Sequence, residues 1–129
     1  MSQFSEYWSN RIIDHMFRGE PFEPPKQLWL GLLTKIPSTG SSSGVEIKSS
    51  SYSRVPVFLG GPSQGRTSNR LEVAFPVANE AWGDVVGAAI YDAERGGHLL
   101  SFGEISRPRE LLDGDQMKFR EGEVKLELV

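Results

Sequence analysis

A few groupings in this 129-residue sequence carry side chains capable of chemistry. Gly60-Gly61-Pro62-Ser63-Gln64-Gly65-Arg66-Thr67 has the spacing of a phosphate-binding loop, with Arg66 where a lysine belongs. Such a loop works when a helix follows directly, so that unpaired amides and the helix dipole face the phosphates. Here Leu71, Val73 and Phe75 alternate with Glu72 and Ala74, the period of a strand, and Pro62 interrupts the loop. The stretch therefore reads as a solvated connection between strands. Asp113-Gly114-Asp115 offers clustered oxygens of the kind calcium favours, but the late bidentate glutamate of an EF-type loop is missing, and a tight turn explains it. His15 and His98 each lack the second ligand that metal coordination needs. The serines between Ser38 and Ser53 read as a Ser-rich loop, with no nucleophile elbow expected. Glu72, Asp84 and Glu104 could pair only through the fold. With no cysteine in the chain, thiolate nucleophiles, disulfides and Cys-based zinc sites are excluded.

The elements that would position these groups are mostly strands. One helix is expected at the front, over residues 1–19, where Phe4, Tyr7, Trp8, Ile12, Ile13, His15 and Met16 recur at helical spacing. Ser2 fits as its N-cap and Gly19 as its C′ residue. Pro21, Pro24 and Pro25 forbid continuation, since each lacks an amide hydrogen and fixes its own φ. Leu28 to Thr34 then reads as a strand buried on both faces. Pro37 to Ser51 reads as a long flexible loop, with a short strand at Val45 and Ile47. Val55, Val57 and Leu59 point one way in the next strand, and Pro56 confines it to an edge or a bulge.

Gly60 to Asn69 reads as a second loop. A half-buried strand follows at Leu71 to Phe75, then a central one at Val85 to Asp92, whose Gly87, Ala88 and Ala89 suit close approach by another layer. Gly96-Gly97 closes a hairpin onto His98 to Glu104, because glycine reaches positive φ without steric cost. Val124, Leu126 and Leu128 alternate cleanly with charged residues at the end. Many short strands without crossover helices predict a mainly β fold: an antiparallel, jelly-roll-like β-sandwich over residues 26–129, forming a single domain with the N-terminal α-helix.

Composition narrows the function. The net charge is −3, with basic residues scattered, so a nucleic-acid footprint is not expected. No apolar run approaches the ~20 residues of a membrane span, and no signal peptide is expected at the N-terminus. Trp29, Tyr52 and Tyr91, with Trp82, are candidates for stacking on sugar rings. The helix face of Phe4, Trp8, Ile12 and Met16 is expected to cover the open face of its own sandwich; if it does not, it is the candidate docking face.

The stretch Phe75-Pro76-Val77-Ala78, Trp82-Gly83-Asp84-Val85-Val86, Ala88-Ala89-Ile90-Tyr91-Asp92-Ala93 and Gly96-Gly97-His98-Leu99-Leu100, ending in Phe102-Gly103, resembles a family of small tailed-bacteriophage virion proteins of the tail-fibre type. Tyr52-Ser53-Arg54-Val55 and Leu28-Trp29-Leu30-Gly31-Leu32 extend the resemblance over most of the chain. The resemblance is weakest at Ser38–Ser50 and Arg107–Gly114. It implies a non-enzymatic structural component of the virion, assembled in the host cytoplasm, with no cofactor and no metal. It further implies a homotrimer that docks to other virion proteins as a tail fibre, fibre base or adaptor. The competing readings are a capsid decoration protein and a carbohydrate-binding module contacting a host surface glycan. Within the motif, Trp82 is expected to plug one end of the sandwich, and Asp92 to close the hairpin with Gly96 and Gly97.

Overall fold

The computed structural model of the chain describes residues 3–37 and 44–128. Among these residues the strands are antiparallel and there is one helix, as expected. Three long strands form the centre of the main sheet: β2 (Leu28–Lys35), β7 (Gly83–Tyr91) and β8 (Leu99–Leu111). β1 (Gln3–Phe4) pairs with the far side of β8. The outer edge of β2 is divided between two short strands, β4 (Val55–Val57) against Leu28–Leu30 and β3 (Val45–Glu46) against Leu33 and Lys35. Pro56 is exposed on β4, at the sheet margin where a residue without an N–H is tolerated.

The second layer is two ribbons in place of one wide sheet: β5 (Arg66–Ser68) with β10 (Lys125–Glu127), and β6 (Val73–Ala74) with β9 (Lys118–Phe119). Alternation explains the division of side chains. Leu30 and Leu32 of β2 and Ala88 and Ile90 of β7 face the ribbons and join Val73, Phe75, Met117, Phe119 and Val124 in one core cluster. Leu33, Ala89, Tyr91 and Phe102 form a smaller cluster, against which Trp29, Ile36 and Leu99 pack. Burying one large apolar side chain contributes roughly 1.5–3 kcal/mol, so these clusters supply most of what holds the fold. Trp82, 5% exposed, closes one end of the larger cluster, and its indole N–H donates to Ser51 Oγ at 2.9 Å. The polar tip of the buried ring thereby keeps a partner.

Several boundaries differ from the sequence reading. The helix α1 (Glu6–Arg18) is capped by Ser5, whose Oγ accepts from the Trp8 amide at 3.1 Å. Ser2 lies outside the described residues, and Gln3 and Phe4 between it and the helix are paired as strand. Gly19 ends the helix with φ 71°, as its position suggested. The expected loop Gly60–Asn69 contains β5, because Gln64 and Gly65 both take positive φ and fold Ser63 back onto Arg66. β8 runs seven residues past Glu104 to Leu111. Of the loop Pro37–Ser51, residues 38–43 lie outside the described set.

One residue at the end of the expected Gly60–Asn69 loop ties the ribbons together. Asn69, 1% exposed, donates from Nδ2 to the Leu71 carbonyl at 2.8 Å and the Arg120 carbonyl at 3.0 Å. Its Oδ1 accepts from the Val124 amide at 2.9 Å. A single buried amide thus satisfies three backbone groups and joins its own segment to the β9–β10 connection. Asn69→Ala is expected to strand those groups and cost about 2–4 kcal/mol, since each buried unsatisfied polar group costs ~1–3 kcal/mol. Urea unfolding followed by tryptophan fluorescence measures it; a loss below ~1 kcal/mol would show that the ribbons are held elsewhere.

Candidate functional site

The densest polar constellation sits where β3 and β4 leave a gap along β2. Neither short strand reaches Gly31–Leu32 with its own ladder, and Tyr52 closes the opening. The Leu32 amide donates to Tyr52 Oη at 3.0 Å, and the Tyr52 hydroxyl donates to Glu46 Oε2. Arg54 then grips the same carboxylate in two places, Nε to Oε2 and Nη2 to Oε1, both at 2.9 Å. This forked geometry is what makes arginine–carboxylate pairs strong. Its Nη1 donates to the carbonyls of Ala93 (2.8 Å) and Gly96 (2.9 Å) in the β7–β8 hairpin. The guanidinium lies 3.5 Å from the centre of the Tyr91 ring, a stacked cation–π contact.

The electrostatics follow from this packing. Burial, then the hydrogen bond and negative charge of Glu46, hold the Tyr52 phenol protonated far above the usual tyrosine range. Burial and the Glu46 charge push Tyr91 up to about 12, against the opposing pull of Arg54. For Arg54, burial alone would lower the pKa, but the Glu46 carboxylate more than offsets it and the pKa is raised. Both phenols are therefore fixed as neutral acids and the arginine as a cation. The group is also closed: a Cβ on Gly31 would come within 2.8 Å of Glu46, Tyr52 and Tyr91. These residues form a clamp, and nothing the size of a substrate fits among them.

The remaining residues singled out in the sequence fall in separate places. Tyr52 packs between Phe75 and Trp82, with ring centroids 6.2 and 5.5 Å away. Tyr91 is 6% exposed beneath Arg54, and Trp29 is half-buried on the same face of the sheet. These rings are engaged inside the protein and do not line a common open face. The sequence contains the elbow spacing Gly-x-Ser-x-Gly twice, contrary to expectation, at residues 40–44 and 61–65. In the second, Ser63 exchanges backbone hydrogen bonds with Arg66 in a tight hairpin and a strand follows, so neither an elbow nor a phosphate-binding loop forms there. The first lies mostly outside the described residues. Asp115 accepts from the Leu112 amide at 2.9 Å and closes the turn through Asp113 and Gly114. His15 bonds the Glu20 carbonyl at 2.9 Å. His98 pairs with Asp92 at 3.0 Å and stacks flat on Tyr7 at 3.9 Å.

That last stack leads to the helix. Ser5 binds α1 to β8 through its amide (to the Leu100 carbonyl, 2.9 Å) and its hydroxyl (to the Leu99 carbonyl). Tyr7 and Trp8 pack on the core, and Trp8 meets Phe22 edge-on at 5.5 Å. Beyond this first turn the helix buries nothing fully. Ile13, Met16 and Phe17 are 51%, 68% and 82% exposed, and their i, i+3, i+4 spacing puts them in one stripe. Of the expected face, Phe4 lies half-buried in β1, Trp8 and Ile12 are half-buried, and Met16 is exposed. The apolar surface of α1 therefore divides between an anchoring end and a bare end. Local spacing could not reveal this, because the division depends on where Ser5 fixes the helix to β8.

Comparison with known proteins gives one family: the model described as podophage GP4 fiber I protein gp80 matches residues 3–127. No curated protein matches the chain.

Two outcomes test the clamp. Gly31→Ala is expected to cost about 1–3 kcal/mol by forcing Tyr52 and Glu46 off β2, read as a lower urea midpoint. The phenols also set an alkaline limit. Because their folded-state values lie above the ordinary 10, the unfolded chain loses protons first as pH rises. Stability is then unaffected by them below pH 10 and declines from pH 10 through about 12. Urea midpoints across that range should fall in the native protein and flatten in Tyr52→Phe/Tyr91→Phe; an equal slope in both would show that these residues are not responsible.

Proposed function

The chain belongs to the podophage GP4 fiber I protein family, and from its structural role in the virion we propose a finer one: a non-enzymatic fibre-base or adaptor module. It docks onto other virion proteins through the bare end of α1 and works as a homotrimer. The observation that carries this reading is the exposed stripe of Ile13, Met16 and Phe17. Contiguous apolar surface on a soluble protein is characteristic of an interaction site, particularly when the element bearing it is held rigidly. Here the base of the helix is fixed by the Ser5 cap and the Tyr7–His98 stack.

A structural role also fits the polar chemistry. The side chains with strongly displaced proton affinity engage one another and backbone carbonyls, which suits a static part. Sugar stacking gains no support, because Tyr52 and Tyr91 are committed to the clamp.

Light scattering of the purified protein is expected to give three times the mass of the chain. Phe17→Asp with Met16→Glu should leave the unfolding free energy from urea titration within ~0.5 kcal/mol of native, because both residues are exposed. In particles assembled with that variant, the protein should be lost or strongly depleted. Normal incorporation of a normally folded variant would rule the helix out as the docking element, and a concentration-independent monomer would rule out the trimer.

A further inference from the structure

The outer edge of β8 pairs with β1 only as far as Phe102, and among the described residues no strand continues that pairing toward Leu111. On the inner side, Glu104 pairs with Gly87 and Arg109 with Val85, so the four residues Ile105–Pro108 stand opposite Val86 alone. That is a pronounced bulge, and Pro108 within it has no amide hydrogen to offer. Both features discourage a further strand from adding to this edge.

The bulge does, however, carry Arg107 to the rim of a groove of ≈ 720 Å³ that lies between β8 and the chain around β9 and β10. Arg109, Lys118, Arg120 and Lys125 line it as well, and the acidic lining residues are Glu104 and Glu123. Five cations against two carboxylates give this groove a charge of +3 on a chain whose net charge is −3. Three of these five cations are uncommitted. Arg107, Lys118 and Arg120 take part in no ion pair among the described residues, and Arg109 reaches Asp115 only at 3.8 Å. Glu123 is held within the groove by the backbone, its Oε1 accepting from the Arg120 amide at 2.6 Å. Like charges gathered this closely raise the energy of the isolated chain, and an anionic partner relieves it.

We propose that this groove binds an extended acidic segment of a neighbouring protein. The proposal builds on the reading of the chain as a virion component and assigns it a second contact, separate from the helix. The groove's own composition selects the class of partner. An unbroken polyanion such as duplex nucleic acid carries a charge every ~1.7 Å and would set phosphates against Glu104. An extended peptide repeats its side chains on one face every ~7 Å, so its carboxylates can meet the arginines while neutral residues pass Glu104. Guanidinium forks also match carboxylates in two-point geometry. Because the bulge blocks a backbone ladder, recognition runs through side chains and is sensitive to salt.

Fluorescence anisotropy of the full chain tests this with three labelled probes: an alternating Glu-Ser hexadecapeptide, an octathymidylate and an octagalacturonate. The peptide is expected to bind best, and to weaken roughly tenfold between 50 and 200 mM salt, as exposed ion pairs are screened. Arg107→Glu/Arg120→Glu should lower peptide affinity by at least roughly tenfold with an unchanged urea midpoint, since both side chains are exposed. Phe17→Asp should bind the peptide as the native chain does, which separates this site from the helix. Equal binding by the double arginine variant, tighter binding of the nucleotide or the galacturonate, loss of binding in Phe17→Asp, or no peptide binding at 50 mM salt would each overturn the proposal.

Discussion

The fold depends on how β2 is closed along its outer edge. A central strand needs a partner at every backbone position that is buried, yet β3 and β4 cover only its two ends. Tyr52 supplies the missing acceptor at Leu32, and the Ile47 amide donates to the Leu32 carbonyl at 3.2 Å. Glu46, Arg54 and Tyr91 then tie that patch to the hairpin on the opposite side of the sheet. An ion pair withdrawn from water, even partly as Glu46–Arg54 is, is often no better for stability than apolar packing of the same shape. This one spans three chain segments, β3, the entry to β4 and the β7–β8 hairpin, so it fixes their relative positions. Gly31 is the steric condition for it, since any side chain there would occupy the same space.

This closure determines what is left for function. Trp82, Tyr52 and Tyr91 are large aromatic residues that in another setting could recognise a ligand, but here they complete the interior. The surfaces we propose for interaction are therefore peripheral, at the bare end of α1 and the basic groove beside the β8 bulge. The two are chemically unlike. One offers apolar area with little directionality, and the other offers charge with defined geometry. A part that must be placed once, in one orientation, within a large particle benefits from having both.

Much of the architecture was legible because it rests on local rules. The two-residue period of Val73 and Phe75 around β6, the proline at β4, the Gly96-Gly97 turn and the Gly19 stop each follow from local residue types in one backbone setting. Asp92 and Trp82 also did what their motif implied. What the sequence withheld was long-range. Asn69 reads as a turn residue until Leu71, Arg120 and Val124 are brought around it. Gln3 and Phe4 look like the start of a helix until β8 pairs with them, which hides Ser5 as the cap. Glu46 and Arg54 lie eight residues apart, in an apparent loop and at the foot of a strand, and nothing local marks them as a pair. The groove draws its cations from β8 and from the chain around β9 and β10, so scattered charge in the sequence became concentrated charge in space.

The size of the exposed stripe bears on how such a module would be held. A stable interface typically buries ~800 Å² on each partner, and three side chains such as Ile13, Met16 and Phe17 supply roughly half of that at most. On the proposed docking, the helix end alone would give a weak contact, adequate only where many copies are fixed together or where a second surface engages at the same time. Effective concentration does the rest: once one surface is docked, the other binds as an intramolecular event, and two modest contacts become durable. The rigid link between them then matters more than the strength of either. That link runs from Ser5 and Tyr7 through β8 to the bulge, along a single strand of the most continuous sheet in the molecule.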